Sequence, residues 1–190
     1  MLSSALPSGQ PMHPGADFRG DHAMTTPPDE PFQSLKDAWQ LYVDMTEDVA
    51  AAHARAVLND EQPSELWTGL PERINSTQIA IDELAGPSDT FKERRHNRAE
   101  RHEIAGVNEA LGSAHKAMVD RANAEVTYLK NEQRVQSSID AGDAVDYDAL
   151  ERDRSHLTTS KDTLAQARAN LALRIENLAD SSGSGLFDKP

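Results

Sequence analysis

Residues 92–103 read Lys-Glu-Arg-Arg-His-Asn-Arg-Ala-Glu-Arg-His-Glu, the one locally basic stretch of an otherwise acidic chain. Arg94, Arg98 and Arg101 recur at the spacing of one helix face, with Arg95 and His102 on a nearby face and His96 between them. Guanidinium groups in such a row bind carboxylate or phosphate through charge-assisted, often paired hydrogen bonds. The ligand this predicts is an acidic protein surface or a phosphorylated group. The competing reading is a solvated face, its arginines paired with Glu93, Glu100, Glu103 and an acidic helix earlier in the chain. No aromatic residue interleaves the arginines, which argues against single-stranded nucleic acid. The formal charge of -13 disfavours nucleic acid and anionic lipid more generally.

Other candidate chemistry is sparse. Glu93 and His96 have the Glu-x-x-His spacing of carboxylate-bridged metal bundles, but such sites use the motif twice and it occurs once in the body of the chain. His102-Glu103 lacks the second histidine of a zinc protease helix. With no cysteine, a thiol nucleophile, a zinc–thiolate site and a disulfide framework are all excluded. There is no Gly-rich phosphate loop and no Gly-x-Ser-x-Gly. His53 falls on the apolar face of a helix, the setting of a packed core histidine. No enzyme activity, metal or cofactor is expected.

Trp67-Thr68-Gly69, read as lying between two helices, is followed later by Tyr128-Leu-Lys-Asn-Glu132. The pair superficially resembles the WxG secreted proteins, which carry Trp-x-Gly in the hinge of a helical hairpin and a Tyr-x-x-x-acid export signal after it. This chain departs from the family in being about twice its length and in having Pro71 and Gly86-Pro87 where the second helix would run. Tyr147-x-x-x-Glu151 fits the second pattern as well, so that pattern is cheap here. The plainer role for Trp67 is to anchor an inter-helix turn to the core.

The elements that would hold these residues are legible from apolar spacing. Leucine recurs every seventh position at Leu150, Leu157, Leu164, Leu171 and Leu178, and an apolar ladder precedes it. Folded back at Ala141-Gly142, Leu178 meets Ile104, Leu171 meets Leu111, Leu164 meets Met118, and Leu157 meets Val126 or its neighbour. A flanking rung sets Ile175 against Val107 and Tyr147 against Val135. Heptad repeats in mirror register predict an antiparallel, intramolecular coiled-coil hairpin. One rung is odd, opposing Arg168 to Ala114, Lys161 to Arg121 and Arg154 to Tyr128. It reads as the solvated edge of a bundle, with cationic stems lying over apolar surface, or as a polar layer awaiting an acidic partner.

The expected fold is all-α: a three- or four-helix bundle built on that hairpin. Helix one spans 34–60, helix two 71–85, helix three 88–140 and helix four 143–180. Pro71 suits the first position of helix two, and Gly142 a left-handed turn. Residues 1–33, rich in proline and without helical or strand period, read as a disordered arm, and 181–190 as a flexible tail. A hydrophobic content of 37% implies a narrow core. No apolar run is long enough to span a membrane, and the start lacks a secretory signal.

The function expected is a non-enzymatic protein–protein interaction module, with the partner surface at Arg94, Arg95, His96, Arg98, Arg101 and His102. Residues 1–33 resemble, in composition alone, a type III secretion leader. The alternatives are therefore an exported bacterial effector or a structural component of a larger assembly, with homo-oligomers compatible with either. The compartment expected is the cytoplasm, or the outside of the cell by a route without a cleavable signal.

Overall fold

The computed structural model describes residues 30–84 and 91–181, with side chains for 33–84 and 101–181. The described residues are all-helical. Five helices follow one another: α1 (Glu30–Asp44), α2 (Glu47–Leu58), α3 (Glu65–Glu83), α4 (Phe91–Ala141) and α5 (Tyr147–Ser181). The arm expected at 1–33 lies outside the described residues up to 29, and residues 30–33 already belong to α1. The Gly86-Pro87 stop, the start of helix three at 88 and the tail beyond Ser181 also lie outside them.

Helix one, expected to be continuous over 34–60, is two helices. Thr46 adopts an extended backbone and its side chain accepts a hydrogen bond from the Val49 amide at 3.3 Å. With Glu47 and Asp48 in the following turn, a new helix start replaces the continuation. Met45, wholly buried, fills the corner. The break lets α2 lay a face of buried alanines (Ala50, Ala51, Ala54 and Ala56) against its neighbours, among which α4 is the main one.

Helix two begins earlier than expected, at Glu65 rather than at Pro71. Ser64 caps it by accepting from the Trp67 amide at 3.2 Å. Pro71 lies within the helix. The buried stripe Leu70, Ile74, Thr77 and Ile81 keeps helical spacing past it, so packing outweighs the one backbone hydrogen bond that proline forfeits.

α4 and α5 lie against each other in opposite directions. Near the turn Asn131 donates to Asp153, and at the far end Arg174 pairs with Glu103 at 3.8 Å. α1 and α3 are also opposed, with the Ser34 hydroxyl donating to the Ala80 carbonyl at 3.5 Å and Arg73 pairing with Asp44 at 2.6 Å. α3 is clasped to α4 by a reciprocal exchange of amides. The Gln78 side chain donates to the Asn108 carbonyl at 2.8 Å, and the Asn108 side chain donates to the Gln78 carbonyl at 3.3 Å and to Asp82 at 2.7 Å. One core results, filled by Leu35, Leu41, Leu70, Ile81, Leu111, Met118, Leu164, Leu171 and Leu178. Toward the turn its last members are Ala122 on α4 and Leu164 on α5, and burial stops at Ala124 and Ser160. Between 125 and 159 no residue is buried, and Val126, Leu129, Leu150 and Leu157 are only half-buried. The α4–α5 pair therefore extends past the three shorter helices as a two-helix stalk.

Candidate interaction surface

Two sets of basic residues singled out by the sequence have different surroundings. In the first, Arg121, Lys161 and Arg168 of the odd rung are met inside the molecule, whereas Arg154, 69% exposed and 4.0 Å from Glu151, keeps the solvated place expected of the rung. Arg121 is 2% exposed, far from a solvated edge, and its guanidinium pairs with Glu125 one turn on and with Glu47 at 3.2 Å. Lys161 reaches the same Glu47 carboxylate at 2.9 Å. The expected solvated edge is thus overturned at Arg121, and α2 supplies the acid. A buried guanidinium is tolerated only where carboxylates compensate its lost hydration. The start of α2 provides one because Thr46 aims that helix end at α4 and α5. Arg168 lies over the Tyr42 ring, 4.8 Å from its centre, and donates to the Tyr42 carbonyl at 3.3 Å. A cation over an aromatic face is attracted to the ring quadrupole, so α1 joins α5 through this contact.

The Glu47 carboxyl is held below the ordinary carboxylate range. The Lys161 hydrogen bond is the largest cause, and the Arg121 hydrogen bond and both positive charges add to it; partial burial opposes them.

The second group is the stretch that the sequence marks as partner-facing. Arg94, Arg95, His96 and Arg98 stand on the first turns of α4, in the part whose side chains lie outside the described set. Arg101 and His102 are exposed, and Glu103 next to them is paired with Arg174. With Glu103 opposite Arg174, α5 ends about level with this segment.

The remaining candidates take structural places. His53 is half-buried and stacks on Trp67, ring centres 3.9 Å apart and planes 9° from parallel. Burial pushes its pKa down, as it does that of His115. Trp67 packs against the core from the first turn of α3, so Trp67-Thr68-Gly69 is helical rather than a hinge. Tyr128 donates to Glu132 along α4 at 3.1 Å. Among the described residues no group of three His, Asp or Glu side chains is placed to hold a metal, and no helix is long and apolar enough to cross a membrane.

Sequence reasoning missed Glu47 as the counterion of the polar rung and Tyr42 as the partner of Arg168. Thr46-Glu47-Asp48 carried the signal for the first, since a capping residue followed by two acids marks a helix start. No family model, curated protein or solved structure matches this chain.

Proposed function

We propose that this chain is a non-enzymatic protein–protein interaction module, a helical bundle built on a long antiparallel coiled-coil hairpin, which offers the basic start of α4 to an acidic or phosphorylated protein. The coiled-coil reading is supported by the burial of Ile104, Val107, Leu111 and Met118 on α4 opposite Leu164, Leu171, Ile175 and Leu178 on α5. The exposure of Arg101 and His102 where α5 ends carries the functional reading. Arg121, Lys161, Arg168 and Arg174 spend their charge on internal partners. Lys36, Arg55, Lys116, Lys130, Arg134 and Arg152 are exposed but scattered, whereas 92–103 groups Lys92, Arg94, Arg95, Arg98 and Arg101 on one helix start. A row of arginines on a helix offers planar forks that make two hydrogen bonds each for the ordering of one side chain, so it suits recognition of carboxylate or phosphate oxygens.

Reversing Arg94, Arg98 and Arg101 to Glu tests this. Immobilised acidic peptides, with and without phosphoserine, should retain the wild-type chain and lose the reversed one, while the helical signal and melting temperature stay close to wild type. A wild-type chain that no peptide retains would refute the reading. So would loss of folding on reversal, since the arginines would then be an internal clasp to the acidic helices.

A further inference from the structure

The far end of the α4–α5 pair has the opposite character to its basic start. From Asp140 to Asp153 there are six carboxylates against one arginine, Arg152. Amid them Ile139 and Tyr147 are 47% and 62% exposed. The turn that carries them is fixed by its own hydrogen bonds. The Asp143 amide donates to the Ser138 carbonyl at 2.9 Å and the Gly142 amide to the Ile139 carbonyl at 3.0 Å, with Gly142 at φ 75°. This is a helix stop that glycine makes without strain. Asp146 caps the next helix by accepting from the Ala149 amide at 3.0 Å. Asp143 and Asp148, both exposed, are left beside the Tyr147 ring in sequence. An exposed aromatic ring among carboxylates, on a turn that needs no ordering, suits a guanidinium ligand: the ring face and the acids attract it together. The molecule already uses half of that chemistry where Arg168 covers Tyr42.

We propose that this tip docks on the basic segment Arg94–His102 of a second copy, so that chains associate head to tail. The inference rests on the reading of that segment as partner-facing and names the partner. The two ends are complementary in sign, and one chain cannot join its own. Forty residues of continuous helix separate Arg101 from Ala141, about 60 Å at the rise of an α-helix. A contact between unlike patches leaves a free tip and a free basic end on every docked pair. Association therefore grows into open chains or closed rings rather than stopping at a dimer.

Salt screens both the attraction of the ends and the repulsion of two acidic chains, so exchange of charge is the cleaner test. Sedimentation velocity of the full chain over a concentration series would compare wild type, Asp143→Lys with Asp148→Lys, Arg94→Glu with Arg98→Glu and Arg101→Glu, and Tyr147→Ala. Asp146 is left alone because it caps α5. Wild type should sediment faster as concentration rises. Each variant should associate at least about tenfold more weakly, and an equimolar mixture of the two charge-reversed chains should recover association. A wild type monomeric throughout would overturn the proposal, as would a tip variant that assembles like wild type or a mixture that does not recover. If acidic peptides bind the basic segment while wild type stays monomeric, self-docking fails and the reading of the segment stands. If reversal of the arginines changes neither peptide binding nor assembly, both fail.

Discussion

At the scale of single residues, Arg121 shows how the bundle converts an awkward charge into a fixed geometry. Its guanidinium is buried, yet its acids come from two places: Glu125 on its own helix and Glu47 at the start of α2. Glu47→Gln would remove the carboxylate that Arg121 and Lys161 share. Because Glu47 is half exposed, solvent screens the pair and a loss of about 1 kcal/mol is expected rather than the larger cost of a sealed ion pair. The folded carboxyl titrates below its unfolded value, so its contribution is complete above the ordinary carboxylate range and disappears as pH falls through the folded pKa. Thermal melts of wild type and Glu47→Gln should therefore differ at neutral pH and converge in acid; a constant gap would mean that the charge is not the cause. His53 adds in the same direction for a different reason. Burial lowers its pKa, so the unfolded chain takes up that proton first. Its share of stability is full above the ordinary histidine range and is lost as pH drops toward the folded value. Stacked on Trp67, it should report its own titration. Tryptophan emission should change with a midpoint below the ordinary histidine range in wild type, and that step should be missing from His53→Gln. The facing of Lys161 and Arg121 was readable from the heptad register alone. Their counterion was not, because a continuous helix one leaves Glu47 no direction in particular.

The elements divide according to whether burial or local chemistry decided them. The long helices were legible because heptad leucines on one segment and an apolar ladder on the other admit few arrangements, and the rungs at 104, 107, 111, 118, 164, 171, 175 and 178 are buried as the spacing predicts. The rung of Tyr147 against Val135 is not, since Tyr147 is 62% exposed. The break at Met45-Thr46 was hidden under apolar spacing that runs unbroken from Leu35 to Ala56, so a single capping hydroxyl had to be weighed against a long periodic signal. Pro71 misled in the opposite way, since a strong local rule gave way to a buried stripe on either side of it. The α4–α5 pair itself changes character along its length. Leu164 and Leu171 are buried in the core, whereas Leu157 and Leu150 on the stalk are only half-buried. Leu164→Ala and Leu171→Ala should each cost about 2–4 kcal/mol, as for filled core sites. Leu157→Ala should cost roughly 1 kcal/mol, because less of its apolar surface is removed from water. Denaturant titration of the three variants would measure this, and equal losses would mean that the stalk is as well covered as the core. Hydrogen exchange should follow the same gradient, with amides of 128–157 opening before those of 104–124.

For the molecule as a whole, the strongest commitment is that one chain makes both strands of the long pair. The same heptad seam is open to two other solutions, a parallel zipper between two chains or a swapped pair in which α5 of one copy lies on α4 of another. The turn argues against the swap. Residues 142–146 close the chain with a glycine-ended helix stop and an aspartate cap, and opening it would forfeit both while exchanging no other contact for a better one. The parallel zipper fails on pairing, since Asn131 with Asp153 and Glu103 with Arg174 require opposed directions. Two spin-label pairs separate the cases. Labels at the exposed positions Glu109 and Leu173, level with each other in this register, should lie within about 15 Å, the spacing of packed helices plus the label arms. Labels at His102 and Asp143, along continuous α4 and its turn, should lie roughly 60 Å apart. Both distances should persist when labelled chain is diluted into excess unlabelled chain, because each is measured within one molecule. If the short distance vanishes on dilution while the long one remains, α5 belongs to a neighbouring copy and the hairpin is swapped. A short distance between the His102 and Asp143 labels that vanishes on dilution is the contact between copies expected of head-to-tail docking. If instead it is short in the diluted sample, α4 is bent, its two ends are closer than a straight helix allows, and the head-to-tail geometry loses its premise.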